Sequence, residues 1–226
     1  MRKKITTIAL TITTFSILSL WQLALPDESK YLWLKPLVAA AFSYGIYSFL
    51  IVSLSTFLPK LKFIKRWLFG RDYVDGVWIG AYVGCMLEPR IFYEEYDQKL
   101  ETVTVRGKSF LLDGTPHATW TSTSFNISHD HDKLFFTYSV QSFTTESSGN
   151  GYAQFTPVLD SQGKHIEELR GFSFDLHNGI MIPALEKKMD KKADEKSLME
   201  SAKALYSNNK SFFERHKNEI QKKRSR

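Results

Sequence analysis

The chain has 226 residues, 43% hydrophobic and 14% aromatic, enough for one ordinary folded domain with accessory segments and too apolar for general disorder. A single cysteine, Cys85, excludes an internal disulfide framework and a thiolate zinc site. The net charge of +6 is modest and gathers beside two apolar segments and at the C-terminus, a placement that favours anionic lipid headgroups over a nucleic acid polymer.

In chain order, the first expectation is a membrane hairpin over residues 1–58. Ile5 to Leu25 and Leu37 to Leu58 carry no charge and are long enough for a hydrocarbon core of ~30 Å. The short connector holds Tyr31 and Trp33, and Trp21 ends the first segment, where interfacial aromatics belong. A signal peptide fits less well, because no small-residue cleavage site precedes Pro26. Arg2, Lys3 and Lys4 before the first segment, with Lys60, Lys62, Lys65, Arg66 and Arg71 after the second, place both termini in the cytoplasm of a two-span protein of a bacterial inner membrane. Ala41, Gly45 and Ser48 form a small-residue stripe suited to helix packing, within the hairpin or between protomers. A basic linker, 59–72, follows.

Residues 73–183 read as antiparallel strands: Gly76–Cys85, Ile91–Arg106 (bent or split), His117–Ser128, Lys133–Phe143, Tyr152–Leu159, Glu168–Leu176 and Ile180–Ile182. Turn residues separate them and no helical crossover intervenes, which predicts a meander closing into a small up-and-down β-barrel or a sandwich. The fold class is thus membrane-anchored all-β. The remainder, 184–226, is rich in Lys and Glu; Leu185, Met189, Leu198, Ala202 and Leu205 line one face of a solvated helical tail broken at Ser207–Asn209.

Chemistry is sparse. There is no nucleophile elbow, phosphate loop or HExxH pair, and the run Ser128–Asp132 with His129 and His131 sits where a hairpin turn belongs, so neither an enzyme nor a metal site is expected. The stretch YVDGVWIGAYVG puts Gly76, Trp78, Gly80, Tyr82 and Gly84 on one strand face, aromatic surfaces suited to a lumen wall. Trp120 with Ser122, and Tyr138, alternate in the same way on later strands. Arg106 and Arg170 are candidates to grip a phosphate if their faces point inward; the pattern alone does not separate inside from outside.

The hairpin, the basic segment and then GVWIGAY (Gly76–Tyr82), Ser122 with Ser124, KLFFTYS (Lys133–Ser139), GYAQF (Gly151–Phe155) and LRGFSFD (Leu169–Asp175) together resemble the CD-NTase-associated protein fifteen family. These are two-transmembrane, β-strand-rich effectors of bacterial CBASS anti-phage systems. The resemblance implies a barrel that binds a cyclic dinucleotide made by a partner CD-NTase, self-assembly of the chain, and disruption of the lipid bilayer, with cell death. It implies no cofactor beyond the activating ligand. Trp78, Tyr82, Arg106, Trp120, Ser122, Tyr138 and Arg170 are the residues expected at the ligand. The charged extension after Pro183 departs from the compact family pattern. A membrane-anchored lipocalin-like carrier of an apolar ligand, favoured if the domain lies outside the cytoplasm and the lumen lacks arginine, and a structural envelope subunit are the alternatives.

Overall fold

The computed structural model describes residues 2–23, 35–57, 61–84, 86–99, 102–128, 132–144, 148–176, 181–189, 193–215 and 217. They form two compact units, divided at Gly70 and Arg71.

The first unit contains helices α1 (Arg2–Leu23), α2 (Lys35–Phe57) and α3 (Lys62–Phe69). Among the described residues no helix is long and apolar enough to cross a membrane. This overturns the expected two-span inner-membrane placement with both termini cytoplasmic. Threonines dilute the apolar run of α1. Their hydroxyls turn back on their own helix: Thr11, Thr13 and Thr14 donate to the carbonyls of Thr7, Ala9 and Leu10 at 2.9, 2.7 and 2.9 Å. In the small-residue stripe, Ala41 and Gly45 are exposed and Ser48 half-buried, and a Cβ added at Gly45 would meet nothing within 4 Å. The connector with Tyr31 and Trp33 lies outside the described residues, as does the side chain of Trp21.

The second unit is a closed barrel of eight strands in sequence order, every neighbour antiparallel, with the last strand paired to the first. The strands are β1 (Gly76–Val83), β2 (Pro89–Gln98), β3 (Val103–Leu111), β4 (Pro116–Ser128), β5 (Lys133–Ser142), β6 (Ser148–Leu159), β7 (Ile166–Asp175) and β8 (Met181–Lys188). The expected meander is thus a barrel and not a sandwich. The stretch 91–106 is split, as β2 and β3 with a connection at 99–102. The last strand runs five positions past Pro183, to Lys188, because Ala184 and Glu186 face the lumen while Leu185 is covered from outside. Leu185 therefore belongs to a strand and not to the helical face on which the 3.6-residue spacing placed it.

Both faces of β1 are buried, each for its own reason. Trp78 and Tyr82 join the cluster inside the barrel with Tyr96, Val105, Leu134, Phe136, Phe155 and Leu169. Ile79, Ala81 and Val83 lie outside and are covered by helix α4 (Glu195–Asn208), through Leu198, Ala202, Leu205 and Tyr206. The tail helix is accordingly packed on the barrel wall and not solvated. Its first turn is fixed by Glu195, which accepts from the Tyr93 hydroxyl at 2.8 Å and from the Lys108 ammonium at 3.1 Å. Past the cap at Asn209 the chain resumes a helical course over 210–215 and buries Phe213 completely.

Candidate functional site: the barrel lumen

The upper end of the barrel is taken as the end where β1 finishes and β2 begins. The lower end is sealed. Val74 and Trp78 are buried beneath it, the Trp78 indole N–H donates to the Val74 carbonyl at 2.8 Å, and the Gln98 side-chain oxygen accepts from the backbone N–H groups of Val74 and Asp75 at 3.0 and 3.2 Å. Tyr96 packs 5.6 Å from Trp78, and Phe136 and Phe155 stack 6.2 Å apart. Lys188 closes this end, its ammonium 4.1 Å from the Tyr73 ring centre and donating to the Tyr73 carbonyl at 3.0 Å. Trp78 is therefore in the lumen as expected, but as a plug of the closed end.

The upper half is built differently. Gly80 pairs with Phe92, Gly107 with Trp120 and Gly151 with Tyr138 across neighbouring strands. In each pair a Cβ on the glycine would lie 2.1 Å from the partner's ring. The rings thus lie flat along the wall over backbone that has no side chain, and this keeps large aromatics from filling the centre. Tyr82, Trp120 and Tyr138 are only half-buried, whereas the lower lumen residues Trp78, Tyr96 and Phe136 are almost wholly enclosed. Tyr82, Phe92 and Trp120 form a continuous ring run, with centroids 5.8 and 5.7 Å apart.

At the junction of the two halves sit two glutamates, Glu94 on β2 and Glu186 on β8, 3% and 0% exposed. The Trp120 indole donates to Glu94 Oε1 at 2.6 Å, and the Tyr96 hydroxyl donates to Glu186 Oε2 at 3.0 Å. The other oxygen of each, Glu94 Oε2 and Glu186 Oε1, is buried with no donor. Desolvation pushes Glu94 up to about 7 despite the indole donor, and pushes Glu186 well above the usual carboxylate range, with the charge of Glu94 adding to it. Glu186 therefore holds its proton more firmly than Glu94, whose charged form the indole stabilises. A proton held by Glu186 and offered to Glu94 supplies both remaining oxygens.

The upper rim carries a cation. Arg90 lies beside Tyr82, its guanidinium carbon 5.9 Å from the ring centre, and bonds Glu88 and His117. Arg90 Nε and Glu88 Oε2 are buried without a partner. Burial and the neighbouring guanidinium push the His117 imidazole down to about 4, so it stays neutral and accepts from Arg90; its Nδ1 is 3.1 Å from the Thr144 hydroxyl.

Of the residues expected at a ligand, Tyr82, Trp120 and Tyr138 come together in the upper lumen. Ser122 sits at a bulge in β4 and its hydroxyl accepts the Val105 N–H at 2.8 Å, so it serves the wall. Arg106 and Arg170 are corrections: both point outward. Their neighbours Val105 and Gly107, and Leu169 and Gly171, occupy the inward positions, and strand pleat sends the residue between them to solvent. Arg170 is 59% exposed and pairs with Glu168 outside the barrel. Sequence reasoning missed Glu94, Glu186 and Arg90. The alternation Phe92, Glu94, Tyr96, Gln98 was a usable signal, since it puts an acid on an aromatic face. The run His129–His131 lies outside the described residues.

No family model matches the chain, and no curated protein matches it. Among solved structures, a redesigned β-barrel, mFAP1, bound to DFHBI is similar over 51% of this chain and 94% of its own, at 12% identity and a TM-score of 0.38. A de novo designed fluorescence-activating β-barrel is similar over 52% of this chain and 94% of its own, at 16% identity and a TM-score of 0.34.

Proposed function

We propose that the chain is the effector of a cyclic-oligonucleotide anti-phage system. On this reading its barrel senses a cyclic dinucleotide made by a partner CD-NTase, and the chain self-assembles in response; its role is binding, not catalysis. One observation carries the reading: the upper lumen presents flat aromatic faces, laid over glycines, beneath an arginine at the mouth. Such faces stack on a base, and a guanidinium at the rim suits a phosphate that remains near solvent. The test is a thermal-shift and sedimentation panel of cyclic dinucleotides on the full chain. At a concentration of 100 times Kd the recognised ligand adds about 2.7 kcal/mol, a rise in Tm of several degrees. It should also increase the sedimenting mass. No shift with any cyclic dinucleotide overturns the proposal.

A second reading is favoured by the outward direction of Arg106 and Arg170: a lipocalin-like carrier of an apolar small molecule. Arg90→Ala separates the two. It weakens a phosphate-bearing ligand by about tenfold or more and leaves an apolar one unchanged.

A further inference from the structure

Helix α3 of the first unit carries a surface that packing does not explain. Its sequence, KFIKRWLF, interleaves cations with apolar residues, and the helix sorts them. At about 100° per residue, Lys62, Arg66, Phe63 and Trp67 follow one another round an arc of about 140°. All four are exposed, whereas Lys65 and Leu68, on the opposite side, are buried. Phe63 is 83% exposed, the most of any large hydrophobic side chain among the described residues, and Trp67 is 58% exposed. Helix stability does not account for these positions. A lysine in the first turn opposes the helix dipole, and Leu61 at the N-cap makes no side-chain cap hydrogen bond. Gly70, at a φ of 57°, ends the helix after eight residues, too few for stability of its own. Exposed apolar surface of this kind marks a contact.

Charge identifies the partner. No Asp or Glu lies between Glu28 and Asp72, whereas Lys60, Lys62, Lys65, Arg66 and Arg71 fall within residues 60–71. We infer that α3 lies flat on an anionic lipid surface. Phe63 and Trp67 enter the boundary of the acyl chains, while Lys62 and Arg66 meet the headgroup phosphates beside them. The arrangement suits such a boundary, since an indole is apolar over its ring and polar at its N–H, and long cationic side chains reach outward past apolar neighbours. The contact is in the plane of the surface and involves no span: eight helical residues measure about 12 Å, against ~30 Å of hydrocarbon. A single nucleic acid strand is the competing occupant. It fits less well, because Lys62 and Arg66 are one turn, about 6 Å, apart and do not track a run of phosphates. The inference goes beyond the nucleotide reading and does not depend on it.

The experiment is sedimentation of the full chain with vesicles of phosphatidylcholine alone and of an equal mixture of phosphatidylcholine and phosphatidylglycerol. The mixed vesicles should bind about tenfold or more tighter, and about 1 M salt should remove the difference. Lys62→Gln and Arg66→Gln should each weaken binding to the mixed vesicles about fivefold and leave binding to the neutral ones unchanged. Trp67→Phe keeps an apolar ring, so it should bind nearly as well, yet fluorescence quenching by bromine-labelled phosphatidylcholine in the mixed vesicles should fall. If a variant does not fold, the lipid and salt dependence of the unaltered chain decides by itself. Equal binding to neutral and mixed vesicles overturns the inference, as does binding to neither. Affinity indifferent to Lys62 and Arg66, quenching unchanged in Trp67→Phe, or binding of a single-stranded oligonucleotide in place of the mixed vesicles also overturns it.

Discussion

At the scale of single residues, the glycines of the inward face decide what the aromatics can do. Gly107 is the sharpest case, because the Trp120 indole that lies over it is also the donor that holds Glu94. A methyl group at 107 would stand 2.1 Å from the indole and push the ring into the lumen. Gly107→Ala is therefore expected to cost about 1–3 kcal/mol in denaturant unfolding and to break the Trp120–Glu94 hydrogen bond as well. Any ligand using the upper lumen should weaken with it. A variant with unchanged stability and binding would show that the ring has room to lie elsewhere. The presence of these glycines was plain from the sequence, and so was their alternation with Trp78 and Tyr82. Their partners were not, because Trp120 and Tyr138 reach Gly107 and Gly151 only through strand register.

At the scale of elements, α4 is the least legible part and the most consequential for β1. The Lys- and Glu-rich composition reads as a solvated helix, yet Leu198, Ala202, Leu205 and Tyr206 are enough of an apolar stripe to cover the outside of β1 and β2. Beyond its cap, Phe213 is wholly buried and stacks against Tyr206 with centroids 5.1 Å apart. Phe213→Ala should destabilise by about 3–5 kcal/mol and should loosen α4 from the wall, which protection of the Ile79–Val83 amides from hydrogen exchange would report. A loss below about 1 kcal/mol would mean that the segment after Asn209 does not hold the helix. Strand existence was legible for nearly every strand from period-two alternation. Strand β8 beyond Pro183 was not, since both of its faces are covered and EKK resembles the helix that follows.

At the scale of the whole molecule, the enclosed acids make stability depend on pH. Glu94 is raised from 4.5 to about 7, so the folded state holds a proton that the unfolded chain gives up, and the associated stability is complete below about 4.5 and lost as pH rises through about 7. Between about pH 5 and about pH 8, Tm should fall less, or rise more, in Glu94→Gln than in the unaltered chain. His117, pushed down from 6.5 to about 4, acts in the opposite sense: its contribution is present above about 6.5 and lost as pH falls through about 4. A Glu94→Gln variant whose Tm varies with pH as in the unaltered chain would contradict the buried acid pair. The sequence by itself determined the antiparallel meander, because alternation and turn chemistry are local and survive without knowledge of partners. It also determined that Trp78 and Tyr82 share a face. Only the tertiary structure decided which face is the lumen, since closing the barrel sets inside and outside for all strands at once. That closure sends Arg106 and Arg170 to solvent and brings Glu94 and Glu186, 92 positions apart in the chain, to one buried floor.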